Sequence, residues 1–132
     1  MRRKSPSSNN DWTALCVEAA VGGLSALAAV PCRKLVDDPI LLRLLRATAT
    51  EASAAAGKAG LPVSGRPGDL AARDCRRSPR RIHPWLRALR AGRASGAAAV
   101  FGPLLKAARR AGAPVPKLAI MAEVLRRLDR KR

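Results

Sequence analysis

Apolar residues recur three and four positions apart along most of this chain, and no segment shows the apolar–polar alternation of a half-buried strand. The clearest helical segment is capped by Asp37 or Asp38, has Pro39 in its first turn, and ends between Gly57 and Gly60. Its larger apolar residues predict one core-facing side, formed by Ile40, Leu41, Leu44, Leu45 and Thr48.

The rest of the chain predicts further helices separated by proline and glycine. The first begins near Asn10 or Asp11, is weakened or bent at Gly22 and Gly23, and continues to Pro31. A loop over residues 61–83 is expected to hold one short helix at 69–77. Later helices are predicted at 84–91 and at 95–111, the second kinked at Gly102-Pro103, and a last one is opened by Pro114-Val115-Pro116. The predicted class is therefore all-α, a single helical-bundle domain.

The last predicted helix is amphipathic. Its apolar side consists of Leu118, Met121, Val124, Leu125 and Leu128. On its outer side, Glu123 and Arg127 are four positions apart, a spacing that allows an ion pair.

The composition predicts a core of small side chains. Alanine supplies 27 of the 132 residues, and the only aromatic side chains are Trp12, Trp85 and Phe101. The length suits one domain with a modest core. We expect residues 1–9 to form a disordered basic N-terminus and residues 10–130 to form the domain.

The net charge is +17, and residues 67–132 contribute 17 basic and 4 acidic side chains. Such a surface favours polyanions, although arginine richness is equally typical of a GC-rich coding sequence. One arginine cluster with a nearby histidine and tryptophan is a candidate nucleic-acid site: Arg73, Arg76, Arg77, Arg80, Arg81, His83 and Trp85. The favoured alternative is a solvated basic loop beside a core tryptophan, because no recognisable nucleic-acid-binding motif accompanies the cluster.

The three cysteines and the single histidine lack the closely spaced pairs that zinc sites use, so no metal ligand is predicted. Cys16, Cys32 and Cys75 also show no paired spacing, which is typical of a reducing cytoplasm. We expect all three to be small buried side chains.

The apolar run at residues 19–30 is the only membrane candidate. It is shorter than the roughly 20 residues that span a bilayer. Asp11 and Glu18 lie where a secretory signal would have an uninterrupted apolar region. The chain is therefore expected to have no membrane partner and to be cytoplasmic.

Several short blocks resemble, in order and spacing, the helical C-terminal domain of ketopantoate reductases. The most informative is LRAGRASG at 89–96, which resembles that family's L-x-A-G-R-x-T-E. The other blocks are WTAL at 12–15, LSAL at 24–27 with the following Val30-Pro31, LVDDP at 35–39, WLRALRAGR at 85–93 and AGAPVP at 111–116.

The resemblance implies a fold of the 6-phosphogluconate dehydrogenase C-terminal-like class. It also implies the family reaction, in which NADPH on an N-terminal Rossmann domain reduces ketopantoate to pantoate and a lysine protonates the developing alkoxide. The family's functional positions carry other residues here: the lysine position falls on Ala14, two asparagine positions on Glu18 and Gly22, a serine position on Pro84, an aspartate position on Ala88, the glutamate position on Gly96 and a further asparagine position on Phe101.

This chain also contains no G-x-G-x-x-G turn for a dinucleotide. Consequently no catalytic, cofactor-binding or metal-binding residue is assigned, and no cofactor is expected on this chain. The predicted function is a degenerate or detached substrate-binding and dimerisation domain of the family, inactive by itself. Expected partners are a second copy or a separately encoded Rossmann domain. The alternative is a basic helical protein that binds nucleic acid or another polyanion.

Overall fold

The computed structural model describes residues 11–130, which form seven α-helices. They are α1 (Asp11–Ala28), α2 (Cys32–Asp37), α3 (Pro39–Lys58), α4 (Pro67–Arg77), α5 (Pro84–Arg90), α6 (Ala98–Ala111) and α7 (Pro116–Arg130). No strand occurs between residues 11 and 130, so the predicted all-α class is confirmed. The N-terminus predicted to be disordered, residues 1–9, lies outside the described residues.

The start of α3 follows directly from its sequence. Asp38 has extended backbone, and its Oδ1 accepts hydrogen bonds from the N–H groups of Ile40 (2.8 Å) and Leu41 (3.1 Å). Pro39 fits the first helical position because the donor it lacks would have no partner there. The predicted cap is therefore confirmed, with Asp38 rather than Asp37 as the capping residue.

Helix α2 was not predicted. Its first turn is held by two backbone hydrogen bonds: the N–H of Cys32 donates to the carbonyl of Arg81 (3.0 Å), and the N–H of Arg33 donates to the carbonyl of Pro79 (2.8 Å). Cys32 and Leu35 are buried. A six-residue helix is marginal in isolation. It forms because a distant loop supplies acceptors, which local sequence does not reveal.

Helix α1 is the centre of the domain and contacts each of the other described helices. It passes through Gly22 and Gly23 without interruption, although the sequence predicted weakening there. The reason is close packing: a Cβ on Gly23 would lie 2.5 Å from Cε of Met121 and 3.2 Å from Cζ of Phe101. The two glycines let neighbouring side chains reach the backbone of α1.

Two predicted core faces are displaced around their helices. Ile40 is 62% exposed, Leu44 38% and Val124 40%, so their expected core positions are wrong. The buried face of α3 consists of Leu45, Thr48, Ala49, Ala52, Ala55 and Ala56. Because most of these are alanines, the spacing of the larger apolar residues points to the edge of the buried face rather than its middle.

Helix α7 is anchored to α3 by a carboxylate. Glu51 Oε1 accepts from the N–H of Leu118 (2.9 Å), and Oε2 accepts from the N–H of Lys117 (3.2 Å). These N–H groups belong to the first turn of α7, where no backbone acceptor is available. On the outer face of α7, Glu123 pairs with Arg127 (3.0 Å) as predicted, and also with Arg126 (2.6 Å).

Two predicted helix starts require correction. Helix α4 begins at Pro67, two residues before the predicted start. Helix α6 begins at Ala98 rather than at Ser95. Ser95 is buried in the preceding loop, where its N–H and Oγ bond to the carboxylate of Asp129 at 2.8 and 2.9 Å. Its side chain therefore holds this loop against the end of α7.

Candidate functional site

An open cleft of about 460 Å³ lies between α1 and α4. Its lining consists of Thr13, Ala14, Val17, Glu18, Ser64, Leu70, Arg73, Asp74 and Arg77. Ala14 is exposed and contributes only a methyl group. The cleft walls therefore carry ionic side chains, but the α1 position at Ala14 offers no proton and no charge.

Thr13 holds the far wall of the cleft in place. Its Oγ1 accepts a hydrogen bond from the N–H of Ser64 (2.8 Å) and lies 3.3 Å from the carbonyl oxygen of Ser64, to which it donates. Because both functions of the hydroxyl are used, Thr13 ties the loop before α4 to α1. It has a structural role in the cleft.

Glu18 forms the floor of the cleft with a buried histidine behind it. His83 Nε2 lies 3.0 Å from Glu18 Oε2, and His83 Nδ1 accepts from the N–H of Trp85 at 3.1 Å. An acceptor at Nδ1 places the ring proton on Nε2, which donates to the carboxylate. This hydrogen bond holds the pKa of Glu18 below its usual range, and the nearby Arg81 charge acts in the same direction. Glu18 is therefore ionised near neutral pH.

The space beside Gly22 is filled by rings. A Cβ built on Gly22 would lie 2.5 Å from Cε3 of Trp85 and 2.7 Å from Cε1 of His83. Trp85 is 6% exposed, and its ring centroid lies 6.0 Å from that of Phe101. No side chain longer than hydrogen fits at position 22 without displacing this aromatic packing.

The other positions singled out by the resemblance are scattered. Pro84 is exposed at the first turn of α5, whereas Ala88 and Phe101 are buried. Gly96 is exposed in the loop before α6 with φ +91°, a backbone conformation that L residues rarely adopt. The turn at Gly96 is therefore shaped for glycine.

The arginine cluster divides into two parts. Arg73, Arg76, Arg77 and Arg80 are exposed and form no ion pair with any of residues 11–130, whereas Arg81 pairs with Asp74 at 3.4 Å. His83 and Trp85 are buried, so these two members of the candidate nucleic-acid site are not available at the surface. The tryptophan instead fills the core, as the favoured alternative predicted.

Comparison with known proteins gives the family. A sequence profile described as the C-terminal domain of ketopantoate reductase PanE/ApbA matches residues 8–129. The chain belongs to the ketopantoate reductase family. The part of the family that it matches is the C-terminal domain, which confirms the resemblance that the sequence blocks indicated.

A solved structure supports the fold. The chain is similar to the crystal structure of a PanE/ApbA family ketopantoate reductase from Ralstonia eutropha JMP134, with a TM-score of 0.79 and 22% sequence identity. The match covers 91% of this chain and 40% of the ketopantoate reductase chain. No curated protein matches the sequence.

Two further features bear on binding. Within residues 11–130, no helix has the length and apolar character needed to cross a membrane. The same stretch holds no cluster of three or more histidine, cysteine or acidic side chains suited to a metal ion.

Two features of the cleft were not indicated by the sequence. One is the hydrogen bond between Glu18 and His83, and the other is the position of Arg73 and Arg77 along the cleft wall.

Proposed function

We propose that this ketopantoate reductase C-terminal domain is a degenerate substrate domain that does not reduce ketopantoate by itself. The proposal rests on one observation: the α1–α4 cleft is lined by Ala14 at the position where the family resemblance implies the catalytic lysine. Loss of a positioned general acid typically lowers a rate by about 10²- to 10⁴-fold.

The neighbouring side chains do not replace that acid. The Thr13 hydroxyl is engaged with Ser64. Glu18 has a pKa lowered by its hydrogen bond to His83 and carries no proton to give near neutral pH. Arg73 and Arg77 line the cleft, but arginine holds its proton too tightly to act as an acid. The cleft is therefore able to bind a charged molecule without protonating it.

The packing beside α1 supports the same proposal. Gly22 falls where many family members place an asparagine, and Trp85 with His83 occupies the volume that an asparagine would need. Gly96 falls on the glutamate position, and its φ of +91° disfavours glutamate there. The change at position 22 is accommodated by ring packing in the core, and the change at position 96 by the backbone of an exposed loop. Both are expected when a scaffold persists after its chemistry is lost.

NADPH does not fit the described residues. A Rossmann-type site needs a strand followed by a glycine-rich turn and a helix whose N-terminus meets the pyrophosphate. Residues 11–130 hold no strand. We therefore derive no step through NADPH on this domain. A nucleotide-binding domain, as the expected partner, would have to supply the cofactor site.

Exposed apolar side chains support a role in association. Thr48 Oγ1 lies 3.9 Å from Met121 Sδ, and Glu51 binds the first turn of α7, so α3 and α7 pack against each other. The large apolar side chains left exposed on these two helices are Ile40, Leu44, Ile120 and Val124. A second copy of the domain is the expected partner. Analytical ultracentrifugation of the wild-type chain and of the Ile120→Lys and Val124→Lys variants tests this proposal. The variants should sediment with a lower mass than the wild-type chain, and equal masses would contradict it.

A polyanion partner is the second candidate function. Its support is four exposed arginines in the second half of α4 and in the loop that follows it: Arg73, Arg76, Arg77 and Arg80. Binding to single-stranded DNA should fall steeply with added salt and should weaken in the Arg76→Gln/Arg80→Gln variant. If the wild-type chain and the variant bound single-stranded DNA equally at every salt concentration, this candidate function would be contradicted.

The experiment for the first proposal follows NADPH consumption by the purified 132-residue chain in the presence of ketopantoate. A complete ketopantoate reductase, assayed under identical conditions, is the positive control. We expect the chain to give the rate of the protein-free blank. Sustained consumption above the blank, with pantoate as product, would overturn the proposal.

A further inference from the structure

A cavity of about 380 Å³ lies between α6 and α7, and it shares no lining residue with the α1–α4 cleft. Most of its lining is apolar. It includes the buried side chains of Phe101 and Leu125, together with Ala98, Leu105 and Ala122. A volume of this size, with apolar walls and a few polar groups, lies within the range of small-molecule sites.

The cavity continues along the two helices. A neighbouring hollow of about 300 Å³ shares Leu105, Ala122 and Arg126 with it and extends to Val115, just before α7. The two hollows therefore form one elongated apolar groove, the α6–α7 groove. Its shape suits an unbranched aliphatic chain better than a compact ring.

Charged side chains border this groove. They are Arg109, Arg126, Arg130, Glu123 and Asp129, so three arginines against two carboxylates leave a net charge of +1 beside the apolar walls. Both carboxylates have partners within the protein. Asp129 accepts from Ser95 at 2.8 and 2.9 Å, and Glu123 pairs with Arg126 at 2.6 Å. Arg109 and Arg130 are exposed and form no ion pair with any of residues 11–130, so both are able to receive an anion.

We propose that the α6–α7 groove binds a medium-chain fatty acid as its carboxylate. The aliphatic chain lies along the apolar walls, where every buried methylene group is removed from water. The carboxylate lies at the Arg130 end and complements the single excess positive charge. The site does not depend on the proposed loss of reductase chemistry, because none of its residues borders the α1–α4 cleft.

Gly102 in α6 offers a way to block the groove without disturbing the fold. It lines the cavity, and a Cβ built on it meets no atom within 4 Å. Its φ is not positive, so leucine fits the backbone and is favoured there by helix propensity. Gly57→Leu in α3 is the matched control, because position 57 is equally open and does not line the groove. Both variants should be at least as stable as wild type in urea.

The experiment titrates the purified 132-residue chain with acetate, octanoate and dodecanoate by isothermal titration calorimetry. We expect one saturable site for octanoate, tighter binding of dodecanoate, and no binding of acetate, which has the same charge without the chain. Gly102→Leu should raise the Kd of dodecanoate by about tenfold or more, because the chain loses its buried surface. Gly57→Leu should leave the Kd unchanged. Arg130→Gln should raise it by about threefold at low salt.

Photolabelling of the wild-type protein locates the site without any variant. A dodecanoate analogue with a diazirine on its chain should label the tryptic peptide 94–106, which contains most of the α6 lining, and excess dodecanoate should suppress the label.

Three results would overturn the proposal. The first is the absence of saturable dodecanoate binding, and the second is an equal Kd for Gly102→Leu and Gly57→Leu. The third is labelling of α3 instead of peptide 94–106, since it would place the chain on the exposed apolar side chains of Ile40 and Leu44.

Discussion

His83 donates from Nε2 to the carboxylate of Glu18 across 3.0 Å, while its Nδ1 accepts the N–H of Trp85. A residue of the loop before α5 thereby joins the floor of the cleft to the start of α5. His83 is 0% exposed and Glu18 is partly exposed to the cleft, so the pair connects the core to the surface. Through this contact Glu18 helps to hold α1 against the start of α5.

The pH dependence of stability should show this contact. The folded-state pKa of Glu18 is lowered, chiefly by the His83 hydrogen bond. The unfolded state therefore binds the proton more readily, and the stabilisation present at neutral pH is lost as pH falls through the folded-state pKa. Urea unfolding at neutral and acidic pH should show a smaller loss of stability for Glu18→Gln than for wild type. Equal losses in the two proteins would contradict this account.

Gly22→Ala should destabilise the domain by about 1–3 kcal/mol, because a methyl group there overlaps the rings of Trp85 and His83. The matched control is Gly57→Ala in α3, where a Cβ meets nothing within 4 Å. That control should stabilise the domain by up to about 1 kcal/mol through helix propensity. Urea midpoints measure both changes. A Gly22→Ala protein as stable as Gly57→Ala would show that the space beside α1 is not filled.

Glu51→Ala should cost about 1–2 kcal/mol of unfolding free energy, since its carboxylate serves two N–H groups at the start of α7 and is largely buried. Glu123→Ala is the matched control, because it removes an equally charged side chain whose ion pairs lie on the outer face of α7. Its effect should be small. Thermal unfolding of the two variants checks the difference, and similar Tm values for the two would be evidence against the anchoring role of Glu51.

Gly96→Glu places a glutamate at the position where the resemblance implies one, and it should destabilise the domain. The φ of +91° strains any L side chain, at a cost of about 1–2 kcal/mol. Gly102→Glu in α6 is the control, because its backbone has no positive φ and open space surrounds it. Chemical unfolding should therefore show a larger loss for Gly96→Glu. Equal stability of the two variants would show that the loop before α6 adapts to glutamate.

Local signals in the sequence predicted much of the fold. The Asp38 cap depends on neighbouring residues, and the Glu123–Arg127 pair depends on helical spacing alone, so both were predicted correctly. Helix α2 was missed because the acceptors for its first turn belong to Pro79 and Arg81. Ile40 and Leu44 were misplaced because alanines, not the larger apolar residues, form the middle of the buried face of α3.

The site was less predictable than the fold for a similar reason. The resemblance located Ala14, Glu18 and Gly22 on one helix by their spacing alone. It gave no indication that His83 binds Glu18, or that Trp85 covers Gly22, since these contacts join residues far apart in the chain.

The central claim is that the residues of this domain no longer supply the family's chemistry. The most direct test adds a stoichiometric nucleotide-binding domain from an active ketopantoate reductase to this chain and follows NADPH consumption with ketopantoate. Such a mixture removes the lack of a cofactor site as a cause of inactivity. An active reductase's own C-terminal domain, mixed in the same way, shows that reconstitution works.

In that measurement we expect the wild-type chain to give the rate of the nucleotide-binding domain alone, while the matched C-terminal domain restores turnover. Turnover by the wild-type chain approaching that of the matched domain would contradict the claim, because it would mean that a domain with Ala14 at the lysine position still supports the reduction.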